Sequence, residues 1–211
     1  MFKVEVLEVL RKAWPMLLVF TVIMSSIRLA YLKTNRMKFV FHKEFFTLLF
    51  MLYVLVLFYV VTAQDPVSYS ISSYNLIPFR EMLRYNFGTK LFFKNIVGNL
   101  LIFIPFGLFV SYYLKAKRLS LTFILSLISS LTIEFAQRLI VGRVFDVDDI
   151  MLNVMGAIIG YFIYIIIDTI GNHMPKIFKK PWFINLLIII ILILGFMYIF
   201  DFDIKMIEGF V

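Results

Sequence analysis

Long uncharged apolar runs, rather than short alternations, organise this chain. Phe45–Ala63, Ile96–Leu114, Ile150–Ile167 and Phe183–Phe200 each run 18 or 19 residues without a charge, about the length a helix needs to cross a hydrocarbon layer. Two further runs are interrupted. Ala13–Leu32 contains Arg28, which can snorkel from near a helix end, and Leu119–Val141 contains Glu134 and Arg138 in its last turns. The pattern predicts an all-α fold, a polytopic membrane helix bundle of about six transmembrane helices at 13–32, 45–63, 96–114, 119–141, 150–167 and 183–200. Residues 1–211 then form a single membrane domain. Pro105 predicts a kink in the third helix. No small-x-small cleavage site follows the first run, so it reads as a retained span.

Composition agrees with that reading. Of 211 residues, 62% are hydrophobic and 16% charged, whereas a soluble domain has about 45–50% and about 25%. The absence of cysteine excludes disulfides and thiolate metal sites. A net charge of +8 is accounted for by basic loops flanking membrane spans, and no basic stretch is long enough to read a nucleic-acid groove. Lys and Arg divide evenly between the two membrane sides. The denser, nearly acid-free loops after helices one, three and five are therefore assigned to the cytoplasm, with both termini outside. That choice leaves Gln64–Lys94 outside. Its mixture of Met82, Leu83, Tyr85, Phe87 and Leu91 with Arg80, Arg84 and Lys90 predicts an interfacial aromatic segment ahead of the third helix. His42 and His173 read as isolated loop residues facing solvent or headgroups.

The informative side chains are the polar ones at membrane depth, where an unpaired ionisable group costs about 2.5–3.5 kcal/mol. Asn95 and Asn99, four residues apart, open the third helix, with Gly98 between them to permit close helix approach. Glu134, Gln137 and Arg138 share a surface at the end of the fourth. Asp146, Asp149 and Asn153 share a face at the start of the fifth, while Asp148 points elsewhere. Each cluster has a local explanation: asparagines joining helices, a Glu134–Arg138 ion pair, aspartates capping a helix N-terminus. Antiparallel alternation nevertheless brings all three to the same membrane end. The groups that line a shared polar pocket there would be Asn95, Asn99, Glu134, Gln137, Arg138, Arg143, Asp146, Asp149 and Asn153. Gly156 and Gly160 supply a small face for tight packing.

The ordered set Asn75-Leu-Ile-Pro78-Phe79, Asn95-Ile-Val-Gly98-Asn99, Pro105-Phe-Gly107, Glu134-x-x-Gln137 and Gly142-Arg143-x-x-Asp146-x-Asp148-Asp149-x-x-x-Asn153-x-x-Gly156-x-x-x-Gly160 resembles the VanZ-like family over a core of residues 75–161. The resemblance implies a multi-pass protein of the bacterial plasma membrane whose motif-bearing end is extracytoplasmic. It adds Asn75, Pro78 and Phe79 to the pocket. It also implies lowered susceptibility to teicoplanin, a lipoglycopeptide antibiotic, with no established reaction and no known cofactor. The partners implied are membrane lipids and either the lipoglycopeptide or a lipid-linked cell-wall precursor; no nucleic acid is expected.

Two other readings stay open. A membrane-embedded enzyme acting on a lipid phosphate or wall precursor would use Glu134, Asp146 and Asp149 as oxygen ligands for a divalent cation, with Arg138 and Arg143 on phosphate. No histidine joins that cluster, and no nucleophile elbow or phosphate-cradling glycine loop is present. A small transporter relaying protons through Glu134 and Asp149 is the third.

Overall fold

A computed structural model of the chain describes residues 2–62, 74–138 and 145–199. Gln64–Ser73, Gly142 and Arg143 lie outside the described residues. Helices dominate, in the order α1 (Phe2–Thr34), α2 (Phe41–Thr62), a short α3 (Arg80–Arg84), α4 (Lys90–Leu114), α5 (Leu119–Arg138), α6 (Val147–His173) and α7 (Pro181–Ile199). Among the described residues, α1 from Arg11, α2, α4, α5 and α6 are long and apolar enough to cross a membrane. The sixth expected span corresponds to α7, whose apolar stretch among the described residues, Pro181–Gly195, is shorter than the other five. The chain is a multi-pass membrane protein with an all-α bundle. One feature was not anticipated: β1 (Tyr74–Asn75) and β2 (Phe145–Asp146) form a two-residue parallel bridge, with Tyr74 opposite Phe145 and Asn75 opposite Asp146.

The chain divides into two compact units. The first holds α1, the opening of α2 and α7 (residues 1–56 and 173–211). Here Arg28 does not snorkel alone. Its guanidinium makes a two-pronged ion pair with Glu44 at the start of α2, at 2.7 and 3.1 Å, and a fork-to-carboxylate pair is the cheapest way to keep a charge at this depth. His42 is also corrected. It sits in the first turn of α2, half-buried, with Nδ1 3.2 Å from Asn185 Oδ1 on α7. His173 ends α6 rather than lying in a loop.

The second unit, residues 57–172, contains the end of α2, β1, α3, α4, α5, β2 and most of α6. Its α4 and α6 touch backbone to backbone. A Cβ added at Gly107 would stand 2.0 Å from the Ala157 carbonyl oxygen. Added at Gly156 or Gly160, it would stand 2.1 Å from the carbonyl oxygens of Leu100 and Ile104. In lipid no hydrophobic force separates helix from acyl chain, so close van der Waals approach through small residues drives association. Gly98, expected to serve this purpose, does not: its nearest neighbour would be the Phe93 carbonyl of its own helix, 3.6 Å away. Pro105 lies inside α4, while the departure from α-helical hydrogen bonding falls earlier, in a π-turn over Phe93–Val97.

The inward face of α5 is polar. Thr122, Ser126, Ser130 and Glu134 recur every fourth residue and are all buried, Glu134 at 2% exposure. That spacing puts them on one stripe, and Thr122 meets Ser111 of α4 at 2.9 Å, hydroxyl to hydroxyl. Lipid thus receives apolar faces, and the hydroxyl stripe of α5 finds partners within the protein, at Ser111 and at Asn153.

A test follows from the glycine contacts. Gly156→Leu forces backbone apart at Leu100, and overpacking costs about 1–3 kcal/mol or more. Thermal unfolding in detergent should show a clear loss for Gly156→Leu. Gly171→Ala, where the new methyl meets nothing within 4 Å, should leave the midpoint in place or raise it.

Candidate functional site

The site is built on the loop before α6. Asp146 closes β2 and caps the helix that follows: its Oδ1 accepts the Asp148 N–H at 2.8 Å, an aspartate N-cap arrangement. The same oxygen accepts Asn75 Nδ2 at 2.8 Å, beside the main-chain pairing of Asn75 with Asp146. The Asp146 N–H donates to Glu134 Oε2 at 3.0 Å. Glu134 therefore finds a backbone donor across the bundle, while Arg138 turns to Tyr74, its Nη2 2.8 Å from the phenol oxygen and its guanidinium 4.2 Å from the ring centre. One turn into α6, Asn99 Nδ2 donates to Asp149 Oδ1. Deeper, Asn153 Nδ2 donates to Ser130 Oγ at 2.9 Å. Gln137 is buried, with Nε2 3.5 Å from the Val61 carbonyl.

Asp148 is the residue that sequence reasoning missed. Instead of pointing away, it is 1% exposed, and its carboxylate collects three backbone donors. Oδ1 accepts the Phe79 N–H at 2.6 Å; Oδ2 accepts those of Glu81 and Met82 at 2.8 and 3.1 Å. These are the orphan amides at the start of α3, whose preceding residue, Phe79, makes no side-chain cap and takes a left-handed backbone at φ 66°. A distant aspartate thus caps a helix nearly seventy residues earlier. The available signal was the uncapped Ile-Pro-Phe-Arg turn before an amphipathic stretch, together with an aspartate whose position in α6 left it no local role.

Together these elements enclose a cleft of about 70 Å³ lined by Glu81, Met82, Tyr85, Asn95, Ile96, Asp146, Asp148, Asp149 and Leu152. Of the sequence-derived residues, Asn95, Asp146 and Asp149 line it directly. Asn75, Asn99 and Glu134 hold its lining through the bonds above, and Phe79 is tied to it by its amide. Arg138, Gln137 and Asn153 bond elsewhere, Pro78 is exposed just ahead of Phe79, and Arg143 lies outside the described residues. Asn95 sits within the π-turn of α4, and such turns often occur at functional positions. Among the described residues, no group of three or more His, Cys, Asp or Glu is arranged to hold a metal ion; Glu134, Asp146 and Asp149 are not assembled in that way. The lining carries acids and no Lys or Arg. Burial pushes the Asp146 carboxyl up from its ordinary value, the charges of Asp148 and Glu81 push the same way, and bonds from the Asp148 amide and Asn75 oppose them. Burial, with Glu81 next, likewise raises Tyr85.

Two measurements probe this arrangement. Asp148→Ala leaves three part-buried amides without an acceptor, each at a cost of up to about 1–3 kcal/mol. Hydrogen exchange at the amides of Phe79, Glu81 and Met82 should accelerate at least tenfold, with Asp148→Asn intermediate. Asp146 binds its proton more tightly when folded, so its contribution to stability is fully present below the ordinary carboxylate value and lost as pH rises through the raised one. The melting temperature should fall over that interval, and Asp146→Asn should flatten the dependence.

Comparison with known proteins places this geometry in a family. The VanZ/LLP1 family profile matches residues 45–168, more than half of the chain and all of the cleft. Protein VanZ of Enterococcus faecium is 28% identical over 101 residues, covering 48% of this chain and 62% of that protein. The match thus spans less than two thirds of the relative's length. No solved structure matches. With the matched region running from α2 through α6, the chain belongs to the VanZ/LLP1 family.

Proposed function

We propose that this protein lowers susceptibility to lipidated glycopeptides such as teicoplanin, acting at the outer face of the bacterial plasma membrane by binding a lipidated or lipid-linked ligand. The observation that carries the reading is the adjacency of two surfaces on one short segment. The half-buried side chains Glu81, Met82 and Tyr85 line the polar cleft, while Leu83, between them in sequence, is 84% exposed. A ligand with a polar head and a long apolar tail matches such a place; a small soluble solute would use only half of it. Kinship with protein VanZ supports the resistance reading.

Electrostatics favours which part of a ligand enters. The cleft is lined by Glu81, Asp146, Asp148 and Asp149 with no cation among the lining residues. A phosphate placed there would meet repulsion, whereas a neutral hydrogen-bonding or cationic head would not. This weighs against the lipid-phosphate enzyme and favours binding without turnover.

Expression in a susceptible host should raise teicoplanin tolerance several-fold while leaving vancomycin, which has no lipid tail, nearly unchanged. Asp149→Asn or Asn95→Ala, with membrane levels matched by immunoblot, should reduce the gain. Equal shifts for both drugs, or none, would reject the proposal.

A further inference from the structure

The segment from Leu76 to Leu91 presents far more apolar surface than a connection in water would. Leu76, Ile77, Phe79, Leu83, Phe87 and Leu91 are all exposed, Phe87 at 88%. Exposed aliphatic residues on α4 or α6 need no comment, because those helices cross the membrane. Here the same exposure falls on a five-residue helix and its flanking turns. Arg80, Arg84, Lys90 and Lys94 are interleaved with the apolar residues and equally open. Apolar side chains flanked by Lys and Arg are the composition of segments lying in the plane of the membrane surface.

What decides the occupant of this face is its attachment. The bonds from Phe79, Glu81 and Met82 to Asp148 fix the start of α3 against the first turn of α6, a membrane-spanning helix. At its other end the segment runs directly into α4, also a span, through the Thr89 cap, whose hydroxyl accepts the Phe92 N–H at 3.2 Å. Both ends are thereby held at the level where membrane helices begin. A segment pinned at that depth cannot project its apolar face into bulk water without leaving the bilayer surface.

We infer that α3 and its flanking turns are seated in the lipid interface, with Leu83 and Phe87 in the upper acyl layer and the basic residues among the lipid phosphates. The cleft, which shares Glu81, Met82 and Tyr85 with this segment, then opens at headgroup depth. Its ligand class follows: the head of an amphiphile already dissolved in the bilayer, rather than a solute arriving from water. The second statement rests on the proposed function; the first does not. Peripheral segments of this kind sit about 5–10 Å into the headgroup–acyl boundary.

The experiment uses the full-length protein in phosphatidylcholine vesicles, with Trp14 and Trp182, both exposed, replaced by Phe. Single tryptophans are then introduced as Phe87→Trp, Leu83→Trp and Tyr85→Trp, and folding is checked by size-exclusion profile. Quenchers are lipids brominated high in the acyl chain, lipids carrying a nitroxide on the headgroup, and aqueous acrylamide. Emission from Phe87→Trp and Leu83→Trp should lose most of its intensity to the brominated lipids and little to acrylamide. Emission from Tyr85→Trp should respond most to the headgroup nitroxide. Quenching of both outward positions by acrylamide alone would overturn the seating. Quenching of Tyr85→Trp by acrylamide alone, or by the acyl bromines above the nitroxide, would overturn the headgroup assignment. No antibiotic is present, so failure here is separate from failure of the susceptibility assay.

Discussion

The carboxylate of Asp148 is the constraint on which the cleft-bearing end of this protein depends. Its side chain has almost no exposure, in a setting where a polar group without partners is costly. Three backbone N–H groups converge on its two oxygens and satisfy them. The exchange is mutual. Those amides belong to a helix too short to be stable by itself and with no cap of its own. One side chain therefore removes two electrostatic liabilities at once, and it links segments that the chain keeps far apart.

Around that link the polar residues are arranged by pairing rather than by gathering in one pool. Asp146 takes Asn75 and the Asp148 amide, Glu134 takes the Asp146 amide, Asp149 takes Asn99, and Asn153 takes Ser130. Each of these pairs joins side chains or amides across different elements, as a low-dielectric surrounding favours, while the buried amide oxygens of Asn75 and Asn153 are left without a partner among the described residues. The cleft lies beside this matched set, lined by Asn95, Asp146, Asp148 and Asp149 together with residues of α3. Glu81, Met82 and Tyr85 of its lining and its apolar outer flank belong to the same short stretch of chain, so polarity and greasiness change over the width of one helix.

Much of this was readable in the residues and some of it was not. The spans were legible because about twenty uncharged apolar residues admit few other meanings. Asn99, Asp146 and Asp149 were legible as groups needing partners because an ionisable or amide group in such a run must bond to something. Asp148 was not, because helical periodicity assigns it a direction away from Asp146 and Asp149 and says nothing about a remote helix end needing an acceptor. Arg28 was misread for a related reason: proximity to a helix end suggested snorkelling, whereas Glu44 becomes its neighbour only once α1 and α2 are folded back on each other. The hydroxyl stripe of α5 was hidden in plain view, since Thr and Ser at intervals of four look unremarkable until burial shows that they face inward.

The glycine contacts between α4 and α6 carry a mechanical consequence. With main chain resting on main chain at Gly107, Gly156 and Gly160, these helices have no room at those points to take up a larger residue without being forced apart. Room gained in the cleft would therefore have to come from the opposite bank, where the start of α3 is bonded to Asp148, rather than from parting α4 and α6.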